Sequence, residues 1–240
     1  MMAIRGVLFD KDGTLMDVAG TWVPVYQDLL AQLYPGEDER RREMMATAGF
    51  DAATGNFRAG SVLAGGTTDQ LVQMWWPELD PEGWREKRVH FERDYQHLTA
   101  KYLAPLMPLE PVLTALKAAG YRLGVATNDA EHSARNHMEA LGVTRFFDAI
   151  IGWDSVANAK PAGDMIVRFA DAAGLALAEI AMVGDNPHDI EAARNGGAGL
   201  AIAVLTGNAG HDDIAHLADY TLASIADLPA LLKGLKTNAL

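Results

Sequence analysis

The sequence has no cysteine, fewer basic than acidic residues and no long apolar run. Without cysteine, it can form no disulfide, no thiolate metal site and no cysteine nucleophile. Only 20 Lys and Arg residues accompany 32 Asp and Glu residues, and the formal charge is −12. Because nucleic-acid binding depends mainly on Lys and Arg that neutralise phosphates, this balance argues against a nucleic-acid partner.

The apolar runs are also too short for a membrane protein. None approaches the ~20 residues that a membrane-spanning helix needs. The run at Gly6–Phe9 stops at Asp10, which is too early for a secretory signal. We therefore expect a cytoplasmic protein, a monomer or a homodimer, that binds neither membrane nor nucleic acid.

What the sequence does contain is ample material for a folded interior. Apolar residues make up 49% of the 240 residues and charged residues 22%, which is typical of a folded chain rather than a disordered one. This length suits one large domain or two modest ones.

Several short apolar runs end in polar or glycine-containing turns, as buried strands of a parallel sheet do. They are Gly6–Phe9, Leu123–Ala126, Ala149–Ile151, Ile180–Val183 and Leu200–Leu205. Helical patterns that stop at glycine lie between the later runs, at Glu110–Ala119, Ala130–Leu141, Asp164–Ala173 and Asp189–Arg194. This alternation predicts a Rossmann-like three-layer α/β core with a parallel sheet.

Residues 18–104 interrupt the alternation. They contain no clear buried strand, but Val25, Leu29 and Leu30 fall at helical spacing, and four of the five Trp residues lie here. We therefore predict an α-helical cap domain at 18–104, inserted into an α/β catalytic core formed by 1–17 and 105–240.

Two carboxylates, Asp10 and Asp12, follow the first predicted strand, where open α/β sheets bind ligands. Two residues apart on extended backbone, they point the same way and repel unless a cation or a shared proton relieves them. This arrangement suits phosphoryl transfer, in which one carboxylate attacks phosphorus and the other moves protons. A plain Asp-Gly surface turn is the simpler alternative.

Three later strand ends carry further polar side chains. Thr127 and Asn128 precede a helix, where they can bind an anion or simply cap the helix. Lys160 precedes a proline, so its restricted backbone can aim the ammonium at a fixed point, although a solvated lysine is the default. Asp185 and Asp189 lie four apart at a helix start and offer the oxygen ligands that Mg²⁺ prefers. Favourable interaction with the helix dipole would explain either acid singly.

Taken in order, these segments resemble the haloacid dehalogenase-type hydrolase superfamily. The resemblance is carried by the Asp-x-Asp-Gly-Thr loop at 10–14, Thr127, Lys160 and the Gly-Asp-x-x-x-Asp loop at 184–189. It covers essentially the whole chain. Lys11 departs from the pattern, because the family usually has an apolar residue there.

The resemblance implies a role for each matched residue. Asp10 would be the nucleophile that forms an aspartyl-phosphate, and also a Mg²⁺ ligand. Asp12 would be the general acid/base and would offer its main-chain carbonyl to the metal. Asp185 would bind Mg²⁺ directly, and Asp189 would support the metal shell directly or through water. Three residues would bind the phosphate: Thr127, Asn128 and Lys160.

The acid at Asp12 separates the activities within this superfamily, because the true dehalogenases lack it. The resemblance therefore implies a Mg²⁺-dependent phosphatase for a small phosphorylated metabolite. Residues 183–207 most resemble the phosphoglycolate phosphatases. A phosphomutase of the β-phosphoglucomutase type shares the same core motifs and is the first alternative. A non-catalytic binding protein on this fold is the second.

Overall fold

The computed structural model describes residues 3–58 and 60–237. They form two compact units. The core unit comprises the described residues up to Asp17 and from Pro105 onward, and the helical unit is Val18–Ala104.

The first half of the chain contains one strand of the core unit and then the helical unit: β1 (Gly6–Phe9), α1 (Val18–Leu33), α2 (Asp38–Ala48), β2 (Phe50–Asp51), β3 (Asn56–Phe57), α3 (Val62–Gly65), α4 (Thr68–Trp75) and α5 (Pro81–Tyr102). The second half completes the core unit: α6 (Leu109–Ala118), β4 (Arg122–Ala126), α7 (Glu131–Ala140), β5 (Ala149–Ile151), α8 (Asp164–Ala173), β6 (Ile180–Gly184), α9 (Pro187–Asn195), β7 (Leu200–Val204), α10 (His211–Ile214), β8 (Tyr220–Leu222) and α11 (Leu228–Thr237).

The core unit contains a six-stranded sheet in the order β5-β4-β1-β6-β7-β8. Every neighbouring pair is parallel. Phe9, the last residue of β1, pairs with Val125 of β4 and Val183 of β6, so these strands end at the same edge. The predicted α/β fold with a parallel sheet is confirmed.

Close packing between helix α8 and the sheet explains one glycine of β4. A Cβ at Gly124 would lie 2.6 Å from the ring of Phe169, a fully buried residue of α8. Because interiors are packed as densely as organic crystals, the missing side chain lets the helix approach the sheet. This layer supports the strands from which the polar loops emerge.

The helical unit is built around aromatic rings. The ring of Phe91 on α5 lies within 6.4 Å, centroid to centroid, of Tyr26, Trp75, Trp76 and Tyr95. Such pairs stabilise beyond their buried area. None of the helices in the described part of the chain is long and apolar enough to cross a bilayer.

Element bounds differ from the predicted ones in a few places. Helix α9 begins at Pro187 instead of Asp189, because proline fits the first helical turn, where no N–H partner is needed. Strand β8 is an additional strand at the sheet edge. The two-residue strands β2 and β3 form a small hairpin that the apolar pattern did not reveal.

Candidate active site

The polar loops after β1 and β6 meet because these strands are neighbours in the sheet. Asp10 follows β1, and its N–H donates to the carbonyl of Val183 at 2.8 Å. Asp185 follows β6, and Asp189 lies in the first turn of α9. Three carboxylates from separate parts of the sequence are thereby brought to one sheet edge.

These carboxylates form a buried cluster. One oxygen each of Asp10, Asp185 and Asp189 lies within 4.8 Å of the others. Buried like charges at this spacing repel strongly unless a cation or protons compensate them. Three oxygen donors so placed can hold a hard divalent cation.

Lys160 supplies one positive charge to the cluster. Its Nζ donates to Asp10 Oδ1 at 2.5 Å, to Asp189 Oδ1 at 2.6 Å and to the carbonyl of Ala126 at 2.9 Å. Burial would lower the pKa of Lys160, but Asp10 and Asp189 outweigh it and raise the pKa above its usual value. A single ammonium faces three carboxylates, so the cluster as it stands can accommodate further positive charge.

The same imbalance is visible in the carboxyl groups themselves. Burial raises the pKa of Asp10 to about 7; Lys160 opposes the rise, and Asp189 and Asp12 add to it. Burial, together with Asp10 and Asp189, raises the pKa of Asp185 well above its ordinary value. Both shifts have one main cause, the burial of several carboxylates close together.

Backbone crowds the carboxylate of Asp185 on two sides. Gly13 has a φ of +84°, and a Cβ there would lie 2.4 Å from Asp185 Oδ2. A Cβ at Gly207, in the loop after β7, would lie 1.6 Å from the same oxygen. The hydroxyl of Thr206 donates to the carbonyl of Gly13 at 2.6 Å and joins the two loops. The buried Thr14 hydroxyl makes a long contact of 3.4 Å with Asp185 Oδ1.

The loop after β4 contributes Thr127 and Asn128. Thr127 is buried, and its hydroxyl accepts a hydrogen bond from the N–H of Asp129 at 3.1 Å. Asn128 makes two hydrogen bonds with the main chain of Lys160, donating to its carbonyl and accepting from its N–H, each at 3.1 Å. The structure therefore shows Asn128 holding the Lys160 loop, and its role in phosphate binding stays a prediction.

The carboxylate of Asp12 is not part of the acidic cluster. Its Oδ2 lies 2.5 Å from Nζ of Lys11, which is fully buried and also lies 3.5 Å from Asp129. Sequence reasoning noticed Lys11 only as a departure from the family pattern and did not single out Thr14, Asp129 or the loop at 205–208 as part of the site. The buried position of a lysine between two aspartates shows itself only in the fold.

Comparison with known proteins gives the geometry a context. A curated phosphoglycolate phosphatase of Escherichia coli is 32% identical over 200 residues, covering 81% of this chain and 79% of that protein. The pyrophosphatase PpaX of Halalkalibacterium halodurans is 28% identical over 228 residues, 95% of this chain and 96% of that protein.

A solved β-phosphoglucomutase of Clostridium difficile shares the fold with a TM-score of 0.67. It is 15% identical, and the match covers 94% of this chain and 93% of that structure. The model of the family described as haloacid dehalogenase-like hydrolase matches residues 4–197, which include the acidic cluster and Lys160. The chain belongs to the haloacid dehalogenase-like hydrolases.

Proposed function

We propose that the protein is a Mg²⁺-dependent phosphatase that hydrolyses a small phosphate monoester through an aspartyl-phosphate on Asp10. The observation that carries the proposal is the buried cluster of Asp10, Asp185 and Asp189 around Lys160. Phosphoryl transfer needs a positioned nucleophile and positive charge for the phosphoryl oxygens. The cluster offers a positioned carboxylate as the nucleophile and, through Lys160, part of the positive charge.

The residues would share the work as follows. Lys160 holds Oδ1 of Asp10, which fixes the rotation of the carboxylate that attacks phosphorus. Asp12 gives a proton to the leaving oxygen and later takes one from the water that splits the aspartyl-phosphate. Lys160 and Thr127 bind the phosphoryl oxygens, and fixed donors of this kind supply much of the rate enhancement.

The cation fits the donor set. Asp10, Asp185 and the main-chain carbonyl of Asp12 would hold Mg²⁺, with Asp189 as a further ligand or a partner of its water shell. When bound, the ion would neutralise charge on the carboxylates and the phosphoryl group. The raised pKa values of Asp10 and Asp185 support this assignment.

The relatives support two candidate substrates. The phosphoglycolate phosphatase of Escherichia coli makes a small carboxylated phosphate monoester the first candidate, and the pyrophosphatase PpaX makes pyrophosphate another. The phosphomutase stays the alternative function because a β-phosphoglucomutase shares the fold. Residues 18–104 are proposed as the cap domain that the sequence predicts.

The first test is phosphate release. The purified protein with and without Mg²⁺ is assayed on phosphoglycolate, pyrophosphate and hexose 1-phosphates, while isomerised sugar phosphate is followed in parallel. We expect inorganic phosphate, only with the metal. An isomerised sugar phosphate formed without net phosphate release would refute the phosphatase proposal and support the phosphomutase alternative.

The second test addresses the nucleophile. Asp10→Asn should lower kcat by at least about 10³-fold, because the amide does not form the acyl-phosphate. Asp171→Asn, an exposed aspartate of α8, is the matched control and should keep wild-type activity. Acid-quenched protein analysed by mass spectrometry should carry a phosphoryl group on the peptide with Asp10. Undiminished turnover by Asp10→Asn would refute the mechanism.

A further inference from the structure

Lys11 stands between the two aspartates that follow β1, and its side chain has no exposed surface. Its Nζ lies 2.5 Å from Asp12 Oδ2 and 3.5 Å from Asp129 Oδ2. The main chain of Lys11 is fixed as well, because its carbonyl accepts hydrogen bonds from Leu15 and Met16, each at 2.9 Å. A buried ammonium cannot turn to bulk water, so the carboxylates around it set its position.

Asp129, the second carboxylate, is held at the start of α7. Its Oδ1 accepts from the N–H of Ala130 at 2.8 Å, and its Oδ2 accepts from the Ser133 hydroxyl at 2.9 Å. Burial would raise the pKa of Asp129, but the charge of Lys11 and these hydrogen bonds outweigh it, and the pKa lies below its ordinary value. Asp129 is therefore a fixed anion that holds the Lys11 ammonium from the side of α7.

Asp12 is the exposed member of the trio. Its side chain keeps 23% of its surface open to solvent, whereas that of Asp129 keeps 9% and that of Lys11 none. A partly exposed aspartate without a fixed partner samples several rotamers. The buried ammonium at 2.5 Å selects among them, and Asp129 keeps the ammonium in place.

We propose that Lys11 is a positioning residue for the reaction: anchored on Asp129, it fixes the carboxylate of Asp12 in the orientation used for proton transfer. The inference rests on the proposed phosphatase function, in which Asp12 is the general acid/base. It assigns a function to a lysine that is not a member of the acidic cluster of Asp10, Asp185 and Asp189. A buried ion pair is by itself weak evidence for a gain in stability, which leaves orientation as the effect to test.

The variant that isolates this role is Lys11→Met/Asp129→Asn. It removes both buried charges together, so neither is left buried without its partner. Methionine keeps an unbranched side chain, and asparagine retains an oxygen that can accept from the N–H of Ala130 and an amide N–H that can donate to the Ser133 hydroxyl. Lys117→Met/Asp148→Asn, which removes an ion pair of 3.2 Å elsewhere in the core unit, is the matched control.

Two readouts separate positioning from structural support. Crystal structures of the full-length wild type and double variant should show the Asp12 carboxylate fixed in the first and displaced, or in several conformers, in the second. In the kinetics, kcat of the double variant should fall about 10–100-fold while KM changes less than about threefold, since a misplaced acid/base affects chemistry more than binding. The control pair should keep both constants.

Asp129→Asn alone provides a second variant that keeps Lys11. It should lower kcat about 3–10-fold, because the ammonium loses its anchor but still contacts Asp12. An Asp12 carboxylate that stays in place in the double variant, or a kcat within twofold of wild type, would overturn the inference. If the wild type released no phosphate from any substrate, the proposed function would fail, but the crystal structures would still decide whether Lys11 orients Asp12.

Discussion

The interiors of the two units differ in kind. Among the described residues, every buried Asp and Lys lies in the core unit, and the buried polar residues of the helical unit are Thr21 and Thr99. Both threonines form hydrogen bonds within the helical unit: Thr21 accepts from the N–H of Ala104 at 3.0 Å, and Thr99 donates to the carbonyl of Tyr95 at 3.1 Å. The hydrophobic core of the helical unit contains both aliphatic residues and a group of aromatic ones that includes Trp22, Trp75 and Phe91.

The difference shows that the core unit gives up folding free energy in order to bury charged groups. Burying a charge is unfavourable unless partners compensate it, and the compensation in the core unit is incomplete, with one Lys160 among three carboxylates. The aromatic interior of the helical unit carries no such strain. Changes in the first interior should therefore affect catalysis and cation binding, and changes in the second should affect stability.

After the loss of Asp10, the largest effect is expected at Lys160. Lys160→Met removes the ammonium from Asp10 and Asp189 and should lower kcat by about 10²–10³-fold or more, because a preorganised donor to the phosphoryl group is lost. Steady-state phosphate release measures it. Lys117→Met, which removes a partly exposed lysine paired with Asp148, should be silent. Equal losses in both variants would contradict a special role for the buried lysine.

A smaller effect is expected where backbone crowds the carboxylate of Asp185. Gly207→Ala places a Cβ within 1.6 Å of Asp185 Oδ2, so the carboxylate must move. We expect the Mg²⁺ concentration for half-maximal activity to rise about 10–100-fold, as it does when supports of a metal ligand are lost. Gly234→Ala, with no atom within 4 Å of the new Cβ, should leave Mg²⁺ dependence unchanged. An unchanged metal requirement in Gly207→Ala would remove Asp185 from the metal site.

The raised pKa of Asp10 predicts a pH-dependent affinity for Mg²⁺. With a pKa of about 7, Asp10 is largely protonated below neutrality and must release its proton to bind a cation. Affinity should therefore fall as pH falls through 7, by roughly 20-fold between pH 7.5 and 5.5 for one proton. Calorimetry in buffers of different ionisation enthalpy should also detect proton release at pH 6. Proton-neutral binding there would contradict the raised pKa.

The smallest effect on the site is expected from the helical interior. Phe91→Leu reduces a buried ring that contacts four others and should lower the free energy of unfolding by about 1–3 kcal/mol. The Mg²⁺ affinity should stay within twofold of wild type. Val89→Ala, on the exposed face of the same helix, should change stability by less than about 0.5 kcal/mol. A lower Mg²⁺ affinity in Phe91→Leu would contradict the expectation that changes in the helical interior affect stability alone.

Much of the core unit could be predicted because its patterns are long or repeated. The bounds of β1, β5 and α8 are as expected, since continuous apolar runs mark buried strands and Gly174 closes α8 in a left-handed conformation. Strand β8 and the strands of the β2–β3 hairpin have only two or three residues each, too few to show a periodicity.

The candidate site also has features that the sequence predicts and features that it does not. The meeting of Asp10, Asp185 and Asp189 follows from strand ends at one sheet edge, and the sequence predicts it. Side-chain direction does not follow from position along the chain. The amide of Asn128 hydrogen-bonds the main chain of Lys160, a contact that the sequence did not predict, and its role at the phosphate stays a prediction. The sequence shows Lys11 only as a departure from the family pattern, and its burial between Asp12 and Asp129 becomes visible only in the fold.

The strand order also bears on when the site can exist during synthesis. The hydrogen bond from Lys160 to Asp10 spans 150 residues, and that to Asp189 a further 29. The strand β1 leaves the ribosome first, yet both of its neighbours, β4 and β6, are made much later. Contacts between distant segments form slowly, and chains of this size commonly fold through intermediates. A nascent chain therefore contains Asp10 long before the acidic cluster, which is complete only when residue 189 has emerged.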